Sequence, residues 1–153
     1  MILVSGPEPQ RSIFEKLLLA QLHQINGIVL LVRGLPGKGS VVEQKNILIK
    51  DHLLANELNE AIQRSKLVIA RAGYTTIMDL VKLQQQALLI PTPGQTEQEY
   101  LAQYLAEQKI FYTIEQDKFM LDKVLQAVKT NLHIPFIDMQ RYKKIIANFI
   151  ASV

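Results

Sequence analysis

The stretch Leu67–Tyr100, LVIARAGYTTIMDLVKLQQQALLIPTPGQTEQEY, decides the fold. A short apolar run, Leu67 to Ala70, passes directly into Arg71-Ala72-Gly73, and Thr75 and Thr76 then open a helical pattern. That order reads as strand, tight turn, helix. A second apolar run, Ala87 to Ile90, ends in a loop with two prolines and a glycine, and Glu97 begins the next helix. Both turns therefore fall at carboxyl ends of strands, where open parallel sheets bind ligands. A helix amino terminus there offers free amides and partial positive charge, which suits a phosphate. The expectation is a nucleotide-binding half of something larger.

Outward from this stretch the chain alternates. Ile2 to Ser5 reads as the first strand, stopped by Gly6-Pro7, and a helix starts near Pro9, carrying its period on Ile13, Phe14, Leu17, Leu18 and Leu22. Ile28 to Val32 is a continuous β-branched and leucine run, the pattern of a strand buried on both faces. The segment RGLPGKGSVV that follows is expected to be irregular, because it holds three glycines and a proline. Ile47 to Ile49 reads as a short strand, Asn56 as the cap of a helix through Arg64, and Phe111 to Ile114 as the last strand. Asp117 is expected to cap a helix through Lys129; Pro135 breaks the chain, and Ile137 to Val153 forms a final amphipathic helix. This spacing predicts an α/β fold, a Rossmann-like parallel sheet with helices on both faces.

At 153 residues, 48% hydrophobic and 20% charged, the chain fits one globular domain with a core. Seventeen basic and fourteen acidic residues give +3, spread along the chain apart from Arg141, Lys143 and Lys144. No basic stripe with interleaved aromatics marks a nucleic-acid partner. The absence of cysteine excludes a disulfide framework and thiolate chemistry, and favours a reducing compartment. No apolar stretch approaches the roughly 18 residues of a membrane span. The amino terminus runs from Met1 straight into a strand, without a basic leader, as in a subunit or a domain cut from a longer protein.

The candidate chemical groups are binding groups. Gly73 stands where a strand must turn into a helix, which asks for positive φ or for close approach of a ligand; a structural turn would need the same residue. Thr76 and Asp79 are three apart at a helix start, so Asp79 serves either a capping box or the hydroxyls of a ribose. Gln95, Glu97, Gln98 and Glu99 surround the second turn, and an amide such as Gln98 can donate to and accept from sugar hydroxyls, or simply solvate the helix start. Lys38 lies between two glycines without the order of a P-loop. His23, His52 and His133 show no metal spacing, and Ser5, Ser12 and Ser40 sit in no nucleophile elbow, so no catalytic residue, metal site or cofactor is assigned.

The order of a strand, RAGYTTIMDL, a strand ending in Pro91 and then a polar turn with Gln98 resembles the carboxyl-terminal domain of family 28 glycosyltransferases. The loop Gly37-Lys38-Gly39-Ser40, the segment Ile49-Lys50-Asp51-His52-Leu53 and Arg11 also fall in the family's order, so the resemblance spans nearly the whole chain. It implies one half of a GT-B architecture, with a UDP-sugar as donor and an amino-terminal acceptor-binding domain or subunit as partner. Position by position, it places the diphosphate on the amides of Tyr74, Thr75 and Thr76 after Gly73, and the ribose on Asp79. The base falls near Ile49 and the backbone of Lys50, and the donor sugar near Gln95 and Gln98. The turn Ser5-Gly6-Pro7-Glu8-Pro9-Gln10 replaces the relatives' glycine-rich turn; Gly6 is kept among the binding residues, and Glu8 brings an acid close to the phosphates. The second glutamine of the pair is Glu99 and the preceding histidine is Gly94, so the resemblance carries no donor-sugar specificity. It implies a cytoplasmic protein, with peripheral membrane contact made through the acceptor, that needs its other half for turnover. Three alternatives stay open: a related UDP-sugar epimerase or hydrolase, the stand-alone subunit of a two-component transferase, and a non-catalytic phosphate-binding module of flavodoxin-like type.

Overall fold

The computed structural model describes residues 1–37, 39–127, 133–136, 146–148 and 150. Seven strands form one sheet: β1 (Ile2–Leu3), β2 (Val29–Val32), β3 (Val41–Gln44), β4 (Ile47–Lys50), β5 (Val68–Ala70), β6 (Ala87–Leu89) and β7 (Tyr112–Thr113). Its helices are α1 (Gln10–Leu19), α2 (Ala55–Arg64), α3 (Tyr74–Lys82), α4 (Thr96–Glu107) and α5 (Leu121–Ala127), with 3-10 turns at Leu22–Gln24 and Gln116–Lys118. The strand order is β3-β4-β2-β1-β5-β6-β7, parallel except for β3, which runs antiparallel to β4.

Continuous apolar runs become central strands because successive side chains serve two cores. Ile69, Leu88 and Ile90 join Ile2 and Val4 in a cluster with Phe14, Leu18 and Leu22 of the α1 region and with Leu121 and Val124 of α5. Val68, Ala70, Ala87 and Leu89 face the other way, against Ile62 of α2, Ile77, Leu80 and Val81 of α3, and Ala102 and Leu105 of α4. The expected Rossmann-like sheet with helices on both faces is therefore the architecture found.

Its topology also fixes where a crevice must open. From β1 the chain moves outward to β2 and β4, then returns by α2 to β5 on the opposite side of β1, in register Leu3↔Ala70. The strand order reverses between β1 and β5, and the carboxyl ends of those two strands make the switch point at which such sheets bind ligands.

Several expectations need correction. The segment expected to be irregular yields β3, a fully exposed edge strand, whose hairpin to β4 turns at Lys45 with φ 51. Asn56 is inside the first turn of α2, with Leu54 at the cap position. Asp117 sits in the 3-10 turn rather than at the start of α5. The helix expected over 137–153 lies almost wholly outside the described residues, as do Lys38, Arg141, Lys143 and Lys144. One loop glycine is forced by packing: Gly34 has φ +65, and a Cβ there would come 2.3 Å from the Val4 carbonyl oxygen.

Candidate functional site

Three turns converge at the switch point. Gly6, after β1, has φ +109, and a Cβ on it would lie 3.8 Å from Thr92 Oγ1 in the turn after β6. Since β5 separates β1 from β6 in the sheet, this approach passes over the end of β5. There Gly73 caps α3 with φ −77 and ψ 142, so the positive φ considered from sequence is not used. Its α-carbon faces open space instead, with no other atom within 4 Å of a Cβ placed on it. The side chain of Gly73 is absent where a ligand would have room to approach the backbone.

The start of α3 differs from the other helix starts. Ile77 N–H is the first to bond within the helix, to Gly73 O at 3.0 Å. The amides of Tyr74, Thr75 and Thr76 have no partner among the described residues, no side chain caps them, and no acid lies in the first turn. Carboxylates stand at the other starts. Glu8 accepts from Ser12 N–H of α1, Glu57 from Leu54 N–H ahead of α2, and Glu99 from Gly94 N–H ahead of α4, whose first turn also holds Glu97. A helix amino terminus attracts anions unless an acid already faces it. By that criterion α3 is the available one among the described helix starts.

Asp79 is exposed and has neither a hydrogen-bond nor an ion-pair partner among the described residues, so the capping-box role does not hold. It sits three residues after Thr76 and four after Thr75, which puts it on their face of the helix. Gln98 is more committed than its sequence position suggested. Its Oε1 accepts from Thr92 N–H at 3.0 Å and its Nε2 donates to Gln95 Oε1, so both glutamines help to shape the turn after β6. Ile49 and Lys50 end β4, three strands from β5, and the Lys50 carbonyl accepts from Arg33 N–H at 2.9 Å.

Two features of this rim were not anticipated. The first is a ladder of charges. Arg11 donates to Glu8 and Glu15 at 2.7 Å each; Arg33 donates to Glu15 at 2.6 Å and to Asp51 at 3.0 Å. Ser40 closes it, giving both its amide and its hydroxyl to Asp51 Oδ2. The Ser40 hydroxyl, its amide and Arg33 hold the Asp51 carboxyl below the usual aspartate value. Glu8 is lowered likewise, first by the Ser12 hydroxyl and then by Arg11.

The second is Arg71, 1% exposed at the end of β5 with no carboxylate beside it. Its guanidinium donates to the carbonyls of Ile90 (3.4 Å), Pro91 (3.2 Å) and Gln10 (3.2 Å) and to Gln116 Oε1 (2.6 Å), and lies 4.0 Å above the Phe14 ring. Burial lowers its pKa to about 10, which leaves it charged at neutral pH. One buried cation thereby ties together the end of β6, the start of α1 and the turn after β7. Among the described residues two buried side-chain polar atoms remain without partners, Arg71 Nε and Thr92 Oγ1.

Beside the turn after β6 a groove of about 1010 Å³ is floored by Ile13, Leu17, Pro91 and Ala102. Glu99, Glu107, Glu115 and Asp117 also line it, with no basic residue, so it does not suit a diphosphate.

Residues 16–149 match the glycosyltransferase family 28 C-terminal domain. The chain belongs to this family. It is 34% identical over 89 residues to the UDP-N-acetylglucosamine--N-acetylmuramyl-(pentapeptide) pyrophosphoryl-undecaprenol N-acetylglucosamine transferase of Desulforamulus reducens, a match covering 57% of this chain and 23% of that protein. The enzyme of the same name from Natranaerobius thermophilus is 31% identical over 103 residues, covering 65% of this chain and 28% of its own length. Among solved structures, MurG of Acinetobacter baumannii superposes with a TM-score of 0.59 at 17% identity, covering 84% of this chain and 41% of that one. The glycosyltransferase of kitacinnamycin gives 0.60 at 15% identity, covering 83% and 33%. The chain thus spans about a quarter of the length of the curated relatives it matches, and the two structural likenesses establish the fold, a GT-B half-domain. Among the described residues no helix is long and apolar enough to cross a membrane.

Proposed function

We propose that this family 28 domain is the donor-binding half of a glycosyltransferase, the carboxyl-terminal part of a two-domain enzyme, and that it holds a UDP-sugar at the switch point. The observation that carries the reading is the start of α3: three amides without partners among the described residues, no acid in the first turn, and an open approach at Gly73. The diphosphate lies on the amides of Tyr74, Thr75 and Thr76 beneath the Gly6 turn, and the exposed Asp79 carboxylate accepts from the ribose hydroxyls. The base reaches the end of β4 at Ile49 and Lys50. From β5 to β4 is three strand spacings, about 14 Å at ~4.8 Å each, a span comparable to an extended nucleoside diphosphate. The sugar lies toward Gln95 and Gln98, whose remaining amide protons are directed by the bonds that fix the turn.

Departure of UDP leaves negative charge on the diphosphate, and preorganised amides stabilise it without reorganising as the bond breaks. The acceptor hydroxyl and the base that deprotonates it come from an amino-terminal domain or subunit, whose part is to place the hydroxyl at the anomeric carbon. The isolated chain therefore binds and does not turn over. The protein works in the cytoplasm, with any membrane contact made through the acceptor.

Calorimetric titration of the chain with UDP, UMP and uridine tests this. Saturable binding in the order UDP, UMP, uridine supports it; no saturation by UDP at millimolar concentration contradicts it.

A further inference from the structure

An acid stands where the turn after β1 would otherwise meet an anion. Glu8 Oε1 accepts from Arg11 Nε at 2.7 Å and from Ser12 Oγ at 2.9 Å, and its Oε2 accepts from the Ser12 amide at 3.2 Å. A guanidinium, a hydroxyl and a first-turn amide are the donor types that hold phosphate oxygens. An internal carboxylate engages all three. Arg11 is committed further, to Glu15 and to the Arg33 carbonyl, and the ladder it belongs to sets three carboxylates (Glu8, Glu15, Asp51) against two guanidiniums. This side of the crevice keeps no surplus positive charge within the ladder. The Glu8 side chain is 56% exposed, so its charge faces the solvent through which a ligand arrives. Gly6, two residues earlier, approaches Thr92 in the turn after β6, so the turn that carries Glu8 stands at the same rim of the sheet as the start of α3.

We propose that Glu8 is a specificity-determining residue that closes the turn after β1 to phosphate and confines a ligand's diphosphate to the start of α3. This rests on reading the chain as a nucleotide-binding domain. Glu8 sets the geometry by exclusion: with only one of the two flanking turns open, the diphosphate has a single anchoring point, and the sugar is directed away from α1. A neutral glutamine removes the repulsion, and an alanine also frees Arg11 Nε, Ser12 Oγ and the Ser12 amide for an anion.

The test is titration of the full chain with inorganic pyrophosphate, UDP and uridine at low ionic strength, comparing the unaltered protein with Glu8→Gln, Glu8→Ala and Glu8→Ala/Ser12→Ala. Glu8→Ala is expected to bind pyrophosphate and UDP about tenfold more tightly, the gain shrinking as salt screens the charges. Glu8→Gln keeps the acceptor and loses only the charge, so it gains about threefold; it carries the test should Glu8→Ala fail to fold. The double variant gives back part of the gain, and uridine affinity stays the same throughout. Unchanged or weaker pyrophosphate binding by both single variants overturns the proposal. UDP binding by the unaltered chain with no gain in the variants sinks the role of Glu8 alone. A gain in pyrophosphate binding where the unaltered chain ignores UDP upholds Glu8 and removes the nucleotide reading. No binding by any form defeats both.

Discussion

Gly6 and Thr92 meet over the end of β5, a Cβ on the glycine lying 3.8 Å from the threonine hydroxyl. Their strands are not neighbours, so the contact brings the turn after β1 onto the turn after β6 across the end of β5, while Gly73 itself stays open. Gly6 holds φ +109, which only glycine adopts without strain, and Thr92 Oγ1 is buried without a partner among the described residues. Thr92→Val, which keeps the shape and removes the orphaned hydroxyl, should stabilise the fold by about 1 kcal/mol. Gly6→Ala should destabilise it by about 1–3 kcal/mol through the disfavoured φ. Urea unfolding of the two variants measures both signs, and a less stable Thr92→Val would show that the hydroxyl has a partner.

Arg71→Ala should be the most damaging single change at the rim. It removes a buried guanidinium that satisfies three carbonyls and the Gln116 amide oxygen and leaves a void over Phe14. A loss of about 3–5 kcal/mol is expected, with Arg71→Lys losing less. A loss below about 1 kcal/mol for Arg71→Ala, from the urea unfolding curve, would contradict the bracing role.

The charge ladder predicts how the fold responds to acid. Asp51 and Glu8 have pKa values depressed in the folded state, so the unfolded chain binds their protons more readily. Their contribution is present above the ordinary carboxylate range of about pH 4 and is lost as pH falls through the folded values. Asp51→Asn should flatten the acid limb of a stability-versus-pH curve below about pH 4. An unchanged limb would mean that the Ser40 and Arg33 contacts are not kept in solution.

Asp79 and Gln98 should separate binding from stability. Asp79→Ala removes a side chain with no partner among the described residues, so it should leave stability unchanged while lowering UDP affinity about 10- to 100-fold, the value of a charged hydrogen bond of roughly 1.5–3 kcal/mol. Gln98→Ala removes the acceptor of Thr92 N–H and should cost about 1 kcal/mol of stability as well as affinity. Thermal unfolding and UDP titration of both variants check this, and a destabilised Asp79→Ala would return that residue to a structural role.

How much the sequence disclosed depended on the physics of each element. Leu67–Ala70 and Ala87–Ile90 were legible because strands buried on both faces need no alternation, and the turns behind them were marked by glycine and proline. β3 was hidden: all four residues are exposed, and the glycines and proline before it signal a loop. In the ladder, Glu8, just ahead of α1, and Arg11, Ser12 and Glu15 within it follow the three- and four-residue spacing of a helix, which could have been noticed. Arg33 and Asp51 join them only through the parallel register Val32↔Lys50, which places the next residue of each strand side by side. The burial of Arg71 was unreadable, since an arginine after an apolar run looks like the exit to solvent. That Gln98 faces inward, toward Thr92 N–H, depends on how the turn after β6 closes, and composition is silent on that.

The most direct measurement of the central claim is a titration of the nitrogen-15-labelled chain with UDP, followed through its backbone amide resonances. The account predicts saturable shifts that are largest at Tyr74, Thr75 and Thr76, with smaller ones at Gly6, Asp79 and Lys50. Shifts confined to the groove beside α4, or an α3 start that stays silent at millimolar UDP, would contradict it.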